Sequence, residues 1–291
     1  MTVTVGHLAP RGCWDENALH QLLTNQLHPT GIDFHHVDGY PQKVPGAILI
    51  IPGQYWHERV DDINDAASRY EWLLCMKTGD EEDLFNIERI VHPNVRHWVQ
   101  TPRTDRTYRG ARLFGVGWTP AFNEPAWGHR PLDVFLSAQN THKRRTQCFI
   151  QLVDNLDPEV KAVVQQTEGF TQGMNPDEYA KHMCAAKVAP CPSGTFSPDS
   201  FRVWEALQAH TVPIADDVSP RPDYYSSGYW RKLLPDCPFP IITDYRDLPG
   251  YVDDQLKLWP ANANRITAWW MRYKREWSRW LRTDLEALGA L

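Results

Sequence analysis

The sequence predicts an α/β protein made of two doubly wound domains and closed by a long helix. Short apolar runs alternate with helical patterns through the first half of the chain, the signature of a parallel sheet with helices on its faces. A proline- and glycine-bearing stretch without period, 118–128, interrupts that alternation. A second strand–helix set follows, and an amphipathic pattern runs over 261–288. A chain of 291 residues has room for two domains of ordinary size. The expected division is 1–122, 129–260 and a terminal helix over 261–291.

The elements follow in order. A strand is expected over 3–8 and a helix over 15–27, with His20, Leu23 and Leu27 on one side. A short strand covers 32–37. The unbroken apolar run 46–51 suits a strand buried on both faces. A helix is expected over 56–70, then strands over 71–76, 96–100 and 112–116. In the second set, strands are expected at 133–137, 160–165 and 240–243, with helices at 144–155, 176–185 and 228–234. Between them, 186–214 reads as strand, glycine-containing loop, helix and strand. In the last helix Ile266, Trp270, Tyr273, Trp277, Leu281 and Leu285 form an apolar face. Arg265, Arg272, Arg275, Arg279 and Arg282 fall opposite.

Composition bounds the function. Hydrophobic residues make 42% and charged residues 23%, and the mean hydropathy is -0.52, as in a globular chain with a packed core. The net charge of -6 provides no overall basic field for nucleic acid. The six cysteines form no C-x-x-C pair and read as free buried thiols of a reducing compartment. The start, 1–7, lacks the basic and apolar regions of a leader, and no apolar run of ~18 residues occurs. The expected location is the cytoplasm of a bacterium or of a virus-infected host cell, without membrane attachment. The thirteen tryptophans read mostly as core, with some free for stacking on sugars or bases.

The segment 186–214 carries the most chemistry. Its loop ends in Ser197-Pro198-Asp199-Ser200. Either serine or Asp199 can cap the helix, and proline suits a first helical turn. The helix start offers backbone N–H groups and a positive dipole end to an anion. Arg202 lies one turn in, facing the loop, and Glu205 follows on the same face. A nucleotide diphosphate with its ribose suits that arrangement. A glutamate near a helix start is also favoured by the dipole alone.

This segment resembles the donor-binding segment of the GT-B glycosyltransferases, especially the exostosin-like ones. Lys187, Pro192-Ser193-Gly194, Ser200-Phe201-Arg202-Val203-Trp204-Glu205-Ala206-Leu207 and Val212-Pro213-Ile214 follow its form. His210 departs from it, standing where the family has glycine at the helix end; histidine takes that left-handed conformation at some cost. The resemblance implies the GT-B layout: two Rossmann-like domains facing a cleft and a closing helix that packs back on the first. The expected lack of a leader would separate the chain from the membrane-anchored animal exostosins.

Phe135-Leu136-Ser137-Ala138-Gln139-Asn140-Thr141-His142-Lys143-Arg144-Arg145 lies at the carboxyl end of the first strand of the second domain. It resembles a second donor segment of the same enzymes. Arg144 or Arg145 can join Arg202 on a diphosphate, because a planar guanidinium matches phosphate oxygens. A solvated basic helix start is the plain alternative, but cations there oppose the dipole. The expected donor-binding residues are Gln139, Asn140, His142, Arg144, Lys187, Ser200, Phe201, Arg202 and Glu205. Thr167-Glu168-Gly169-Phe170-Thr171 is a candidate for lining the base, or an ordinary loop.

An acceptor hydroxyl needs a base. Asp80 and Glu81, in the acidic loop 78–83 after a first-domain strand, and His7, after the first strand, are the expected catalytic residues; His57 is an alternative. Gln100 and Arg103 end a strand that also resembles the bacterial and viral members. No Asp-x-Asp motif ends a strand and no histidine spacing suggests a metal site. No catalytic metal and no cofactor beyond the sugar nucleotide are expected, with arginine and a helix dipole stabilising the leaving diphosphate.

The reading is a transferase that moves a sugar from a nucleotide diphosphate, UDP-glucose or similar, to a hydroxyl. The acceptor is a glycan or lipid-linked hydroxyl, or a hydroxymethylpyrimidine of viral DNA, which the arginine face of the last helix would suit. A different class, a non-catalytic nucleotide- or glycan-binding module, is separated from these by donor hydrolysis.

Overall fold

Two all-parallel sheets organise the chain, which the computed structural model describes over residues 1–8, 16–79, 82–123, 128–169, 172–223 and 227–291, the side chain of Tyr55 apart. The first sheet holds β1 (Thr2–His7), β2 (Asp33–Asp38), β3 (Gly46–Pro52), β4 (Trp72–Thr78), β5 (Val95–Gln100) and β6 (Arg112–Phe114). Their spatial order is β2-β1-β3-β4-β5-β6. Helices α1 (Asn17–Leu23), α2 (Gly53–Trp56) and α3 (Val60–Ala67) connect them. β3 and β4 are buried along their whole length, which is why they read as unbroken apolar runs. Ala47, Leu49 and Ile51 of β3 and Leu73 and Cys75 of β4 share one core with Val60, Ile63 and Ala67 of α3.

The second sheet holds β7 (Leu132–Gln139), β8 (Ala162–Thr167), β9 (Ala186–Cys191), β10 (Val212–Asp216) and β11 (Ile241–Ile242), in the order β11-β10-β9-β7-β8. Helices α4 (Lys143–Asp154), α5 (Pro176–Ala185), α6 (Phe201–Gln208), α7 (Tyr229–Leu233), α8 (Leu248–Lys257) and α9 (Ala261–Ala287) complete it. Val134, Leu136 and Ala138 of β7 pack with Cys148 and Leu152 of α4 and Leu248 and Val252 of α8. Phe135, between them in sequence, points to the other face, where its ring lies 5.3 Å from Tyr179 of α5. The second sheet is thus wound on both faces.

Contacts group residues Met1–Pro102, Arg106–Val116 and Arg272–Leu291 into one unit, and Arg103–Asp105 with Gly117–Met271 into the other. The last helix therefore begins with the second sheet and ends on the first. In the first unit the Phe114 ring is 6.1 Å from Trp277, and Asp284 accepts from Trp98 Nε1 at 2.9 Å and from Arg112 Nε at 2.6 Å. All five arginines of the expected polar face are exposed.

Two expectations need correction, and one helix lies outside the expected elements. The single helix expected over 56–70 is two helices, because the Trp56 indole donates to Leu8 O at 2.7 Å and Arg59 covers that ring at 4.3 Å, fixing a turn between them. The helix Leu248–Lys257 has no counterpart among the expected elements; Pro249 sits in its first turn, where no N–H is needed. The stretch 118–128 was expected to link domains, yet Trp118 and Phe122 are buried in the second unit, Trp118 5.4 Å from Trp270 and Phe122 5.9 Å from Tyr179. Its residues 124–127 lie outside the described residues. Cys75, Cys148, Cys184, Cys191 and Cys237 are free and buried; Cys13 lies outside the described residues. No described helix is long and apolar enough to cross a membrane.

Candidate functional site

In each sheet the strand order reverses beside the first strand, with β2 and β3 flanking β1, and β8 and β9 flanking β7. Open parallel sheets bind ligands outside the carboxyl ends of their strands at such reversals. In the second sheet this brings together the two segments marked by the sequence. They interlock. Arg202, in the first turn of α6, donates from Nε to Ser137 O near the end of β7, at 3.0 Å. Arg145, in the first turn of α4, donates to Ser193 O at 3.1 Å and to Gln139 O at 3.2 Å. Each helix start is tied to the chain that leads into the other.

The loop before α6 is tight. A Cβ on Gly194 would fall 2.4 Å from Asp199 O, so only glycine fits. Ser200 occupies the N-cap with extended backbone, but its hydroxyl makes no capping bond. The Asp199 carboxylate accepts from Trp204 Nε1 at 2.7 Å and from the Tyr229 hydroxyl at 3.0 Å. Pro198, expected in the first helical turn, precedes the cap, since α6 opens at Phe201. At the other end of α6, His210 does adopt the left-handed conformation, with φ of 60°.

The N-cap side chain of α6 therefore makes no capping bond, and among the described residues several polar atoms around it make no well-formed hydrogen bond. Ser193 Oγ, Ser200 Oγ and both ring nitrogens of His142 are buried without a hydrogen bond. Leaving such a group unpaired costs about 1–3 kcal/mol. Arg202 uses only Nε among the described residues, leaving its terminal nitrogens open. Unpaired donors, guanidinium groups and a helix N-terminus together make a site suited to an anion.

Glu205 lies one turn further and is only 4% exposed. Its Oε1 accepts from the Thr119 hydroxyl at 3.1 Å, and the Tyr179 hydroxyl also bonds its carboxylate. Burial pushes the carboxyl above the usual range, against the pull of the Arg202 charge and these bonds. The same burial holds the Tyr179 hydroxyl well above its usual range.

The remaining expected donor residues are placed less uniformly. Arg144 pairs with buried Asp216 through two bonds of 3.1 and 2.5 Å and lies 4.5 Å over the Tyr245 ring, so its charge is already matched. Gln139 ends β7 and Phe201 opens α6. Asn140 donates to Gln166 at 3.3 Å and accepts from Thr146 at 2.7 Å. Lys187 is not brought to the cluster. It sits at the amino end of β9, paired with Asp133 at 2.7 Å, because the strand runs away from it toward α6. Thr167 ends β8 and its hydroxyl reaches Gly169 O at 3.4 Å; Phe170 and Thr171 lie outside the described residues.

In the first unit His7 ends β1 beside the reversal point. Its Nε2 bonds His36 Nδ1 at 2.9 Å, and its Nδ1 stands 3.6 Å from Glu16 Oε2, close enough for charge though too long for a hydrogen bond. His7 and Glu16 are each 4% exposed. Asp80 and Glu81 lie outside the described residues. Their neighbour Asp83 is buried, bonded to Lys77, to Arg106 at 2.7 Å and to the Tyr108 hydroxyl at 2.7 Å. His57 pairs with Glu58 at 3.5 Å. Gln100 accepts from Gly79 N at 2.9 Å, and Arg103 pairs with Asp105 at 2.6 Å, so both hold local structure.

Ser193, Thr119, Tyr179 and Asp216 are not singled out by the sequence. Asp216 ends a strand, a signal that was available; Thr119 and Tyr179 reach Glu205 only through tertiary packing. Among the described residues, no three His, Cys, Asp or Glu side chains are grouped to hold a metal ion.

No family model and no curated protein matches the chain. Among solved structures, phage T4 BGT in complex with UDP and Mn2+ is similar over 99% of both chains, with a TM-score of 0.47 and 11% identity. Identity that low says nothing of the substrate.

Proposed function

We propose that the protein transfers a sugar from a nucleotide diphosphate, UDP-glucose or a close relative, to a hydroxyl acceptor. The observation that carries this reading is the start of α6, where the N-cap hydroxyl makes no capping bond and, among the described residues, two buried serine hydroxyls and the His142 ring make no well-formed hydrogen bond, beside Arg202 and Arg145. The diphosphate would take its bonds from those groups and from the backbone of the first turn. The ribose would lie one turn further, a sugar hydroxyl replacing Thr119 on Glu205 Oε1. The acceptor base belongs to the first unit, at Asp80, Glu81 or His7.

In the reaction the acceptor hydroxyl gives its proton to that base, and its oxygen bonds the anomeric carbon. The bond from that carbon to the diphosphate breaks, its electron pair staying on the phosphate oxygen. Positive groups fixed around that oxygen before the reaction stabilise the charge as it develops. Arginine and the helix start supply them without a metal held by the protein.

Calorimetry with UDP and UDP-glucose tests the donor site. Arg202→Ala is expected to weaken binding about 10- to 150-fold, the loss of one charged hydrogen bond worth ~1.5–3 kcal/mol. Unchanged affinity in that variant, or no nucleotide binding at millimolar concentration, refutes the assignment. Transfer is expected to persist in EDTA; loss with rescue by magnesium or manganese would show that a metal accompanies the diphosphate. Nucleotide binding without hydrolysis or transfer over a broad acceptor panel would favour a binding module.

A second reading of the acceptor has its own observation. Arg272 and Arg275 are exposed and have no partner among the described residues, in a row with Arg279 and Arg282. An exposed arginine row with two members free of ion pairs among the described residues suits a phosphate backbone, which would make the acceptor a hydroxymethylated base of DNA.

A further inference from the structure

We propose that His142 takes up a proton when the diphosphate of the donor occupies the site, so that donor binding and proton binding are coupled at one side chain. This rests on the donor reading given above. The geometry is specific. His142 is the N-cap of α4, with extended backbone and no capping bond from its side chain. Its ring meets the backbone of Ser193 and Gly194 in weak polar contacts, and among the described residues neither buried ring nitrogen makes a well-formed hydrogen bond. The ring is thus held only weakly in the folded chain, and its nitrogens are open to a stronger acceptor.

A neutral imidazole has one N–H and one lone pair. Turned to a phosphate oxygen, the lone pair repels it, whereas a second proton makes both nitrogens donors. The charged groups around the ring decide when that proton can bind. Arg145 faces it from its own helix, and Asp216 faces it from β10, already matched by Arg144. With no anion present, burial first and the Arg145 charge next hold the imidazole below its usual range, so it is neutral at neutral pH. A doubly charged diphosphate reverses the balance by adding negative charge beside the ring. Arg202 and Arg145 bring two positive charges to the doubly charged sugar nucleotide. The imidazolium supplies a third, matching the charge that appears on the phosphate oxygen when the sugar leaves.

The sign follows. Binding that raises the affinity of His142 for a proton becomes tighter as pH falls, in the window between the empty-site and occupied-site values, by up to about tenfold per pH unit. UDP-glucose is the proper probe, because its esterified diphosphate has no ionisation near neutrality. Calorimetry at fixed pH in two buffers of different ionisation enthalpy counts the protons. Wild-type protein is expected to take up a proton with UDP-glucose, and His142→Gln to bind more weakly with no uptake and a flat pH dependence. Uptake that persists in His142→Gln overturns the proposal. NMR titration of His142 in the wild-type chain gives an independent readout. Its pKa is expected to rise with saturating UDP-glucose, and an unchanged value overturns the proposal. Should UDP-glucose fail to bind at all, the donor reading fails. Sulfate, which also does not titrate near neutrality, then probes the anion site, and an unmoved His142 in saturating sulfate overturns the coupling itself.

Discussion

Glu205 separates a structural from a functional reading at the scale of one residue. Burial holds its carboxyl above the usual range, so the folded chain binds that proton more tightly than the unfolded chain does. The stability this gives is full below the ordinary carboxylate range and is lost as pH rises through the raised value. Glu205→Gln is therefore expected to melt no lower than the wild type at pH 8, with its advantage shrinking toward pH 5, while UDP-glucose affinity falls about tenfold or more. A clear drop in melting temperature at pH 8 with unchanged affinity would make Glu205 a brace for Thr119 and Tyr179 and nothing more. Much of this neighbourhood was readable in the sequence. The face shared by Arg202 and Glu205 follows from helical spacing, and the strained geometry at His210 follows from a histidine standing where glycine is preferred. The bonds that hold Arg202 to Ser137 and Arg145 to Ser193 were not readable. They join positions 65 and 48 residues apart, and no local pattern specifies which backbone oxygen a guanidinium will meet. Lys187 shows the opposite failure: the motif placed it in the donor segment, but a parallel strand carries its two ends to opposite edges of the sheet.

At the scale of elements, the final helix is held by its inner face. Asp284 accepts from both Trp98 and Arg112 in a largely buried setting, its side chain 10% exposed. Glu286, two residues on, pairs with Arg282 at 2.9 Å on the exposed side. Asp284→Ala leaves an indole N–H and a guanidinium without their acceptor and is expected to cost about 2–3 kcal/mol. Glu286→Ala removes an exposed i,i+4 pair and is expected to cost less than about 0.5 kcal/mol. Urea unfolding of the two variants checks this, and equal losses would mean that the inner face of the helix contributes no more than its surface. Elements with one dominant signal were legible, such as the apolar runs of β3 and β4 and the amphipathic period of α9. Those governed by a tertiary bond were not. The Trp56 indole that reaches back to Leu8 divides a pattern that sequence alone joins into one helix. The proline of α8 fits the helix only because it falls in the first turn, and that place depends on where the helix starts.

At the scale of the molecule, both sheets have the same order about their first strand, with His7 ending the first strand of one and the Arg202–Arg145 cluster at the reversal of the other. That repetition was implied by the alternation of strands and helices along the chain. The acceptor was not, because a net charge of -6 argues against nucleic acid while one helix face argues for it. Global charge sets the long-range field, but contact with a phosphate backbone depends on local cations within a Debye length of about 8–10 Å. The exposed, unpaired Arg272 and Arg275 are the residues on which the choice turns. If DNA is the acceptor, label from UDP-glucose should reach hydroxymethylcytosine- or hydroxymethyluracil-containing DNA and not unmodified DNA. Binding should weaken as salt rises, with a slope in log–log terms of about 0.9 per phosphate neutralised. Replacing Arg272 and Arg275 by glutamate should reduce that slope by about 2, and should weaken modified and unmodified DNA alike, since phosphate contacts position the duplex without reading its bases. UDP-glucose affinity should stay unchanged in the same variant, because both substitutions lie outside the second unit, where the donor site is proposed. Transfer to neither modified DNA, together with binding insensitive to salt, would remove DNA as the acceptor and leave a glycan or lipid-linked hydroxyl to receive the sugar.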